Sequence, residues 1–95
     1  MAPELVVEHD KPGRRFVTHL PTGDGVLSYA LAGPKILDLE HTFVPPRARG
    51  EGVGASLAKA ALDFARQDGY HVIPSCSFVR TYLDEHPEYA DLEAP

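Results

Sequence analysis

Apolar and polar positions change period part-way along the chain. In the first half, apolar residues come in short runs, several of them alternating with polar ones. Leu5-Val6-Val7 is a β-type run, and Asp10-Lys11-Pro12-Gly13 supplies the turn after it. Arg15 to Leu20 alternates, with Phe16, Thr18 and Leu20 on one face. Pro21 to Gly25 is a second turn cluster, and Val26 to Leu31 reads as a third strand, broken by Gly33-Pro34. Ile36 to Val44 is the fourth strand and the longest. Turns this short favour an antiparallel meander.

From Gly52 to Asp68 the period becomes helical. Val53, Leu57, Ala61 and Phe64 recur on one side with Ala60 and Ala65 beside them, while Lys59, Asp63, Arg66 and Gln67 lie toward the other. Gly69 is placed to cap the helix C-terminus. Tyr70 to Ile73 is a fifth strand closed by Pro74, and the helix before it makes a parallel crossover from the fourth strand plausible. Ser75 or Ser77 can cap a second helix, with Phe78, Val79, Tyr82 and Leu83 as its apolar stripe and Pro87 as its stop. The expected order is ββββαβα. This is an α+β fold, a mostly antiparallel five-stranded sheet with two helices laid on it.

Length fixes a single domain over residues 1–95, with residues 90–95, including the acidic stretch from Asp91 to Pro95, expected to fray. A net charge of −5 argues against a general nucleic-acid binder, which carries a basic face. One cysteine allows no internal disulfide and suits a reducing cytoplasm. Residues 1–20 lack the apolar core of a signal peptide, and no apolar run approaches a membrane span. The expectation is a cytoplasmic protein without metal, membrane or nucleic-acid partner. A monomer is the simplest state for so small a domain.

The candidate chemistry lies where the period changes. Phe43-Val44-Pro45-Pro46 runs into Arg49-Gly50-Glu51-Gly52-Val53-Gly54, and the long helix follows. A glycine-spaced loop at a helix start lets main-chain N–H groups converge where the helix dipole is positive, and glycine lets an anion approach closely. A phosphate or diphosphate is the natural occupant. A Walker A loop needs a Gly-Lys-Ser/Thr end, which is absent. A dinucleotide fingerprint can be laid over Gly50, Gly52 and Ala55. However, hairpins precede it, and the next strand ends in Val72-Ile73-Pro74 rather than an acidic residue. The remaining alternative is a glycine turn that binds nothing, although three glycines at alternate positions exceed what a turn requires.

Arg49-Gly50-Glu51-Gly52-Val53-Gly54 matches Arg/Gln-x-x-Gly-x-Gly/Ala, which resembles the coenzyme A loop of the GNAT superfamily of acetyl-CoA-dependent N-acetyltransferases. The likeness extends to His41-Thr42-Phe43-Val44-Pro45-Pro46, to Ile73-Pro74-Ser75-Cys76-Ser77-Phe78-Val79, and to Tyr82 with His86-Pro87-Glu88-Tyr89. Together these resemble the small stand-alone GNAT-like family of the YjdJ type, densely from Leu37 to Leu92 and loosely before that. The family often carries glutamate or tyrosine after His-Thr; Phe43 here leaves no base at that position. Relative to ordinary GNAT enzymes, the chain lacks a helical excursion after the first strand and a final strand pair, so the acceptor side should be shallow.

The resemblance implies acetyl-CoA or coenzyme A as cofactor. Its diphosphate would be held by Gly50, Gly52, Val53 and Gly54, with Arg49 adding a charge-assisted bond and Ser56 close by. Its arm would pair with the backbone of Phe43 and Val44, as a peptide adds to a strand edge. That pairing requires the fourth and fifth strands to splay apart. Arg47 is either a phosphate contact or a solvated arginine, and Glu51 faces solvent.

Acetyl transfer to an amine needs a base for the amine, polarisation of the thioester and a proton for the departing thiolate. Glu40 and His41 lie beside the thioester on opposite faces of a regular strand, so only one can enter the cleft. His41 is the stronger candidate, since imidazole titrates near neutral pH; a histidine bonded between sheet and helix is the alternative. Cys76 precedes a helix start that can lower a thiol pKa, and it can accept an acetyl group or sit beside the thioester. It can equally be a small buried thiol. Tyr82 matches the helix position from which GNAT enzymes often protonate the leaving thiolate, or else it packs in the core. His86, Glu88 and Tyr89 read as helix termination and tail docking. The expected activity is direct transfer to an unidentified amine, on a small molecule or on a lysine or N-terminus of a protein, with acetyl-Cys76 as a minor route. The alternatives are a non-catalytic acyl-CoA-binding module and a small interaction domain.

Overall fold

The computed structural model describes residues 5–95. Its elements run β1 (Glu8–Asp10), β2 (Arg15–Leu20), β3 (Gly23–Gly33), β4 (Ile36–Phe43), a 3-10 turn (Pro46–Ala48), α1 (Val53–Asp68), β5 (His71–Ile73), α2 (Ser77–Glu85) and a second 3-10 segment (Pro87–Leu92). The strands lie side by side in chain order. The first three pairings are antiparallel and β4–β5 is parallel, because only that connection carries a crossover helix. The expected α+β order holds.

Alternation along β2 and β3 puts Phe16, Thr18, Leu27 and Tyr29 into the core. α1 covers that face with Val53, Leu57, Ala58, Ala61, Leu62 and Ala65, all essentially buried. Small alanines bring the helix close to the sheet. Leu57 fills the centre at 0% exposure, where truncation to alanine costs about 2–5 kcal/mol. The α1 C-terminus closes as expected: Gly69 is left-handed at φ 76°, and the N–H groups of Gly69 and Tyr70 both reach the Ala65 carbonyl.

β3, at 11 residues, is the longest strand rather than β4 at 8, and the structure departs from the sequence expectation at both ends as well. The first strand is Glu8–Asp10, not Leu5–Val7. The turn after it fixes the register: Gly13 N–H donates to Asp10 Oδ1, Arg14 N–H to the Lys11 carbonyl, and Arg15 pairs with Asp10 at 2.9 Å. His9 then faces inward, stacked on Phe16 at 4.2 Å and edge-on to Phe64 at 4.4 Å. The second departure is the tail, expected to fray and instead docked. Tyr89 and Leu92 are buried, and Ala94 N–H donates to the Val72 carbonyl at 2.8 Å. Polar residues of α1 hold it: Tyr89 Oη donates to Asp63 at 2.6 Å, and Arg66 reaches Asp91 and the Glu88 carbonyl. Arg80 of α2 adds Glu93 at 2.7 Å. Among the described residues no helix is long and apolar enough to cross a membrane.

Candidate functional site

The parallel ladder between β4 and β5 is short. It pairs Ile36 with His71, Leu37 with Val72 and Asp38 with Ile73, and then the strands part. Pro74 has no N–H to continue it. The last tie is Cys76 N–H to the Leu39 carbonyl at 2.8 Å. From there to Phe43 the outer edge of β4 pairs with no other strand among the described residues; the Cys76 thiol reaches it at the Thr42 N–H. The splay required of the fourth and fifth strands is therefore present.

On its other edge β4 carries a bulge. Tyr29 pairs with Leu39 but Ser28 pairs with His41, so Glu40 has no partner. The extra residue reverses the alternation beyond it. Thr42 lines up with core Leu27 and turns toward the helices, while His41 shares the opposite face with Ser28. Regular alternation puts Glu40 and His41 on opposite faces; the bulge removes that argument, and both are exposed.

After β4, Ala48 N–H closes a turn on the Pro45 carbonyl, and Arg49 Nε donates back to the Val44 carbonyl at 3.2 Å. Gly50 and Gly52 then take φ of 86° and 81°. A Cβ at either would meet nothing within 4 Å, so the left-handed backbone, not crowding, selects glycine there. Gly52 caps α1 without any side-chain bond. The first helical hydrogen bond is Ser56 N–H to the Gly52 carbonyl, at 3.0 Å. Among the described residues, the N–H groups of Gly50 to Ala55 have no protein acceptor. Gly54 answers a different demand: a Cβ there would fall 2.8 Å from the ring of Phe78 on α2.

A cavity of about 580 Å³ opens over these groups. Its walls are His41 to Val44 of β4, Ala48 to Gly50, the helix start from Gly52 to Ala55, and Phe78. Of the sequence candidates, the structure brings together His41, Phe43, Val44, Arg49, Gly50, Gly52, Val53 and Gly54. Ser56 is not in the wall; its N–H is already used by the helix. Thr42 and Phe78 were missed. Thr42 needs the bulge to be seen, while a phenylalanine in the first turn of a short helix is a readable signal.

Cys76 sits at the N-cap of α2, next to the wall but not in it. Its Sγ lies 3.4 Å from Thr42 Oγ1. Burial pushes the thiol pKa up, but the Thr42 hydroxyl and the N–H groups of Val79, Phe78 and Thr42 outweigh it, and the net shift is downward. Tyr82 is not brought to the cavity. It is buried, stacked on His86 at 3.8 Å and neighboured by Tyr89, and burial raises its pKa. Its ring takes the core-packing position and is not part of the cavity wall. Glu40 is also outside the wall. Among the described residues, no group of His, Cys, Asp and Glu is arranged to hold a metal.

Unspent amides at a helix start, arginines beside them and a bare strand edge fit a ligand with an anionic head and an amide-bearing arm. Comparison with known proteins points the same way. The GCN5-related N-acetyl-transferase family matches residues 15–92. Protein NATD1 of Gallus gallus is 40% identical over 85 residues, covering 87% of this chain and 77% of the relative. Protein NATD1 of Homo sapiens is 40% identical over 83 residues, covering 85% and 74%. The solution structure of a GCN5-like protein from Staphylococcus aureus superposes with a TM-score of 0.75 at 25% identity, over 96% of this chain and 89% of that one. With the matched span taking in the strand fork, the glycine loop and both helices, the chain belongs to the GCN5-related N-acetyltransferase family.

Proposed function

We propose that this cleft binds acetyl-coenzyme A and that the chain passes the acetyl group directly to an amine. The observation that carries the reading is the row of free amides from Gly50 to Ala55 at the start of α1, facing a cavity of about 580 Å³. The coenzyme, when bound, supplies an acetyl group activated as a thioester. The amides of Gly50, Gly52, Val53 and Gly54 hold its diphosphate. Arg49 keeps its outer guanidinium nitrogens available, because only Nε is bonded to Val44. The strand edge at Phe43 and Val44 orients the arm, with the Val44 carbonyl already held by Arg49 Nε, and the exposed rings of Phe43 and Phe78 shield it from water. His41, in the wall and exposed, takes the proton of the amine.

A second route is favoured by the lowered pKa of Cys76. In it, the Sγ thiolate attacks the acetyl carbonyl, the coenzyme thiolate departs and takes a proton from solvent, and acetyl-Cys76 then passes its acetyl group to the amine. In either route the acceptor is an amine of a small molecule or of a protein; a module that binds the coenzyme without transfer is the competing reading.

Titration with coenzyme A tests the site. Binding should raise the melting temperature in excess ligand. Gly52→Asp, which adds bulk, strain and negative charge at the cradle, should abolish that rise with the fold retained. An undiminished rise in Gly52→Asp would place the site elsewhere. Thiol release with a panel of amines separates an enzyme from a binding module. Intact mass after acetyl-CoA treatment decides between direct transfer and acetyl-Cys76.

A further inference from the structure

The nine Lys and Arg side chains divide by their surroundings. Arg15, Lys59, Arg66 and Arg80 pair with carboxylates. Arg47 and Arg49 stand beside the glycine loop. The other three, Lys11, Arg14 and Lys35, have no carboxylate partner among the described residues. They gather at the opposite end of the sheet, around a second cavity of about 150 Å³.

Lys11 and Arg14 reach this cavity from the β1–β2 turn, Tyr29 from β3, Phe64 from α1 and Tyr70 from the segment before β5, with His9 behind. Lys35 borders it, its Nζ 4.6 Å from the Tyr70 ring, and Lys11 Nζ lies 5.5 Å from the Phe64 ring. Arg14 and Lys35, at φ of 53° and 60°, are the two non-glycine residues with positive φ among the described residues. Glycine would sit at either position without strain; both hold a cation instead. Of the nearby carboxylates, Asp10 is taken up by Arg15 and Gly13, which leaves Asp68 at the end of α1 against three cations. The cavity is half open, with aromatic and aliphatic walls and a cationic rim, and its volume is about that of a single benzene-sized ring.

We propose that this cavity is a second ligand site, for a small aromatic carboxylate whose ring lies among Tyr29, Phe64 and Tyr70 and whose carboxylate meets Lys11 and Arg14. The site is independent of the coenzyme cleft, since no residue lines both cavities.

The test is an NMR titration of the full ¹⁵N-labelled chain with benzoate. Saturable shifts confined to residues 9–14, 29–31 and 64–70 are expected. Neutral benzamide should bind at least about tenfold more weakly, as a charge-assisted contact requires. Arg14→Gly suits the φ of 53° and so keeps the fold while removing the guanidinium. Combined with Lys11→Gln it should cost at least about tenfold in affinity. Gly52→Asp should leave benzoate binding unchanged even where it abolishes coenzyme binding. No saturable shift up to about 20 mM, a range that covers very weak sites, would overturn the proposal. So would equal binding of benzamide, shifts centred on residues 50–55, or an unaffected double variant.

Discussion

Gly54 and Phe78 make a contact that decides the sign of a conservative substitution. In a helix, Gly→Ala ordinarily stabilises by up to about 1 kcal/mol. At Gly54 the new methyl would meet Phe78 Cζ at 2.8 Å and the two Cε atoms at 3.1 and 3.2 Å. Overpacking costs about 1–3 kcal/mol. The low end applies, because the clashing atoms are the far end of a side chain 42% exposed, free to swing outward. Gly54→Ala should therefore be neutral to destabilising by about 1 kcal/mol in the parent chain, yet stabilising by about 0.5–1 kcal/mol when Phe78 is alanine. The coupling across this double-mutant cycle is then about 0.5–2 kcal/mol. Urea denaturation of the four proteins reads it directly, as midpoint differences of roughly 0.5–1 M for a domain of this size. If Gly54→Ala changes stability by the same amount in both backgrounds, the helix start and Phe78 are not in contact as described. Gly54 and Phe78 both line the cavity, so the added methyl and the displaced ring reshape its wall, and Gly54→Ala should weaken coenzyme A binding more than it changes stability.

Other outcomes follow from the same coordinates. Alkylation of Cys76 should follow a thiol pKa below the ordinary range, and Thr42→Val should move the profile upward while Thr42→Ser largely preserves it; identical profiles would remove Thr42 from the thiol's surroundings. Burial first, and Lys11 second, lower the His9 pKa. Its contribution is therefore complete above the unfolded value near 6.5 and is lost as pH falls from there toward the folded value. His19 works the other way, raised first by its hydrogen bond to Asp24 and then further by Glu8, so its contribution is present below 6.5 and fades as pH rises through its folded value. The difference in melting temperature between the parent and His9→Phe, followed from pH 8 to pH 5, should isolate the first effect, and a flat difference would contradict it. Tyr89→Phe, which removes the donor to Asp63 Oδ1 while Lys59 keeps Oδ2, should loosen the docked tail at a cost of about 1–2 kcal/mol; unchanged hydrogen exchange at Leu92–Ala94 would count against that docking.

Much of the fold was legible because it rests on period and punctuation. Alternation in Arg15–Leu20, helical spacing from Val53 to Ala65, and Gly69 and Pro74 as stops are local signals, and the structure keeps them. Leu5–Val7 misled because β propensity there is overridden by pairing: the Asp10–Arg15 contact and the stacking of His9 on Phe16 set the register three residues later. The bulge at Glu40 is a relation between two strands, with no mark in either alone. It hid the turn of Thr42 toward Cys76. Asp63 and Arg66 fall on the polar side of α1 by helix geometry, which cannot know that the chain returns to cover them. The glycine loop was the most readable part of the site, since a helix start with free amides is built from one contiguous segment. Tyr82 lies outside the cavity wall because its side chain answers to the packing of His86 and Tyr89.

The docked tail also closes a border. β5 is three residues long and would otherwise offer its outer rim to any passing strand. Val72 is bridged to Glu93, and its carbonyl accepts the N–H of Ala94. Trimming the chain back to Tyr89 would bare that rim and leave Val72 exposed to a neighbouring molecule, so loss of only a few residues should appear first as self-association rather than as unfolding.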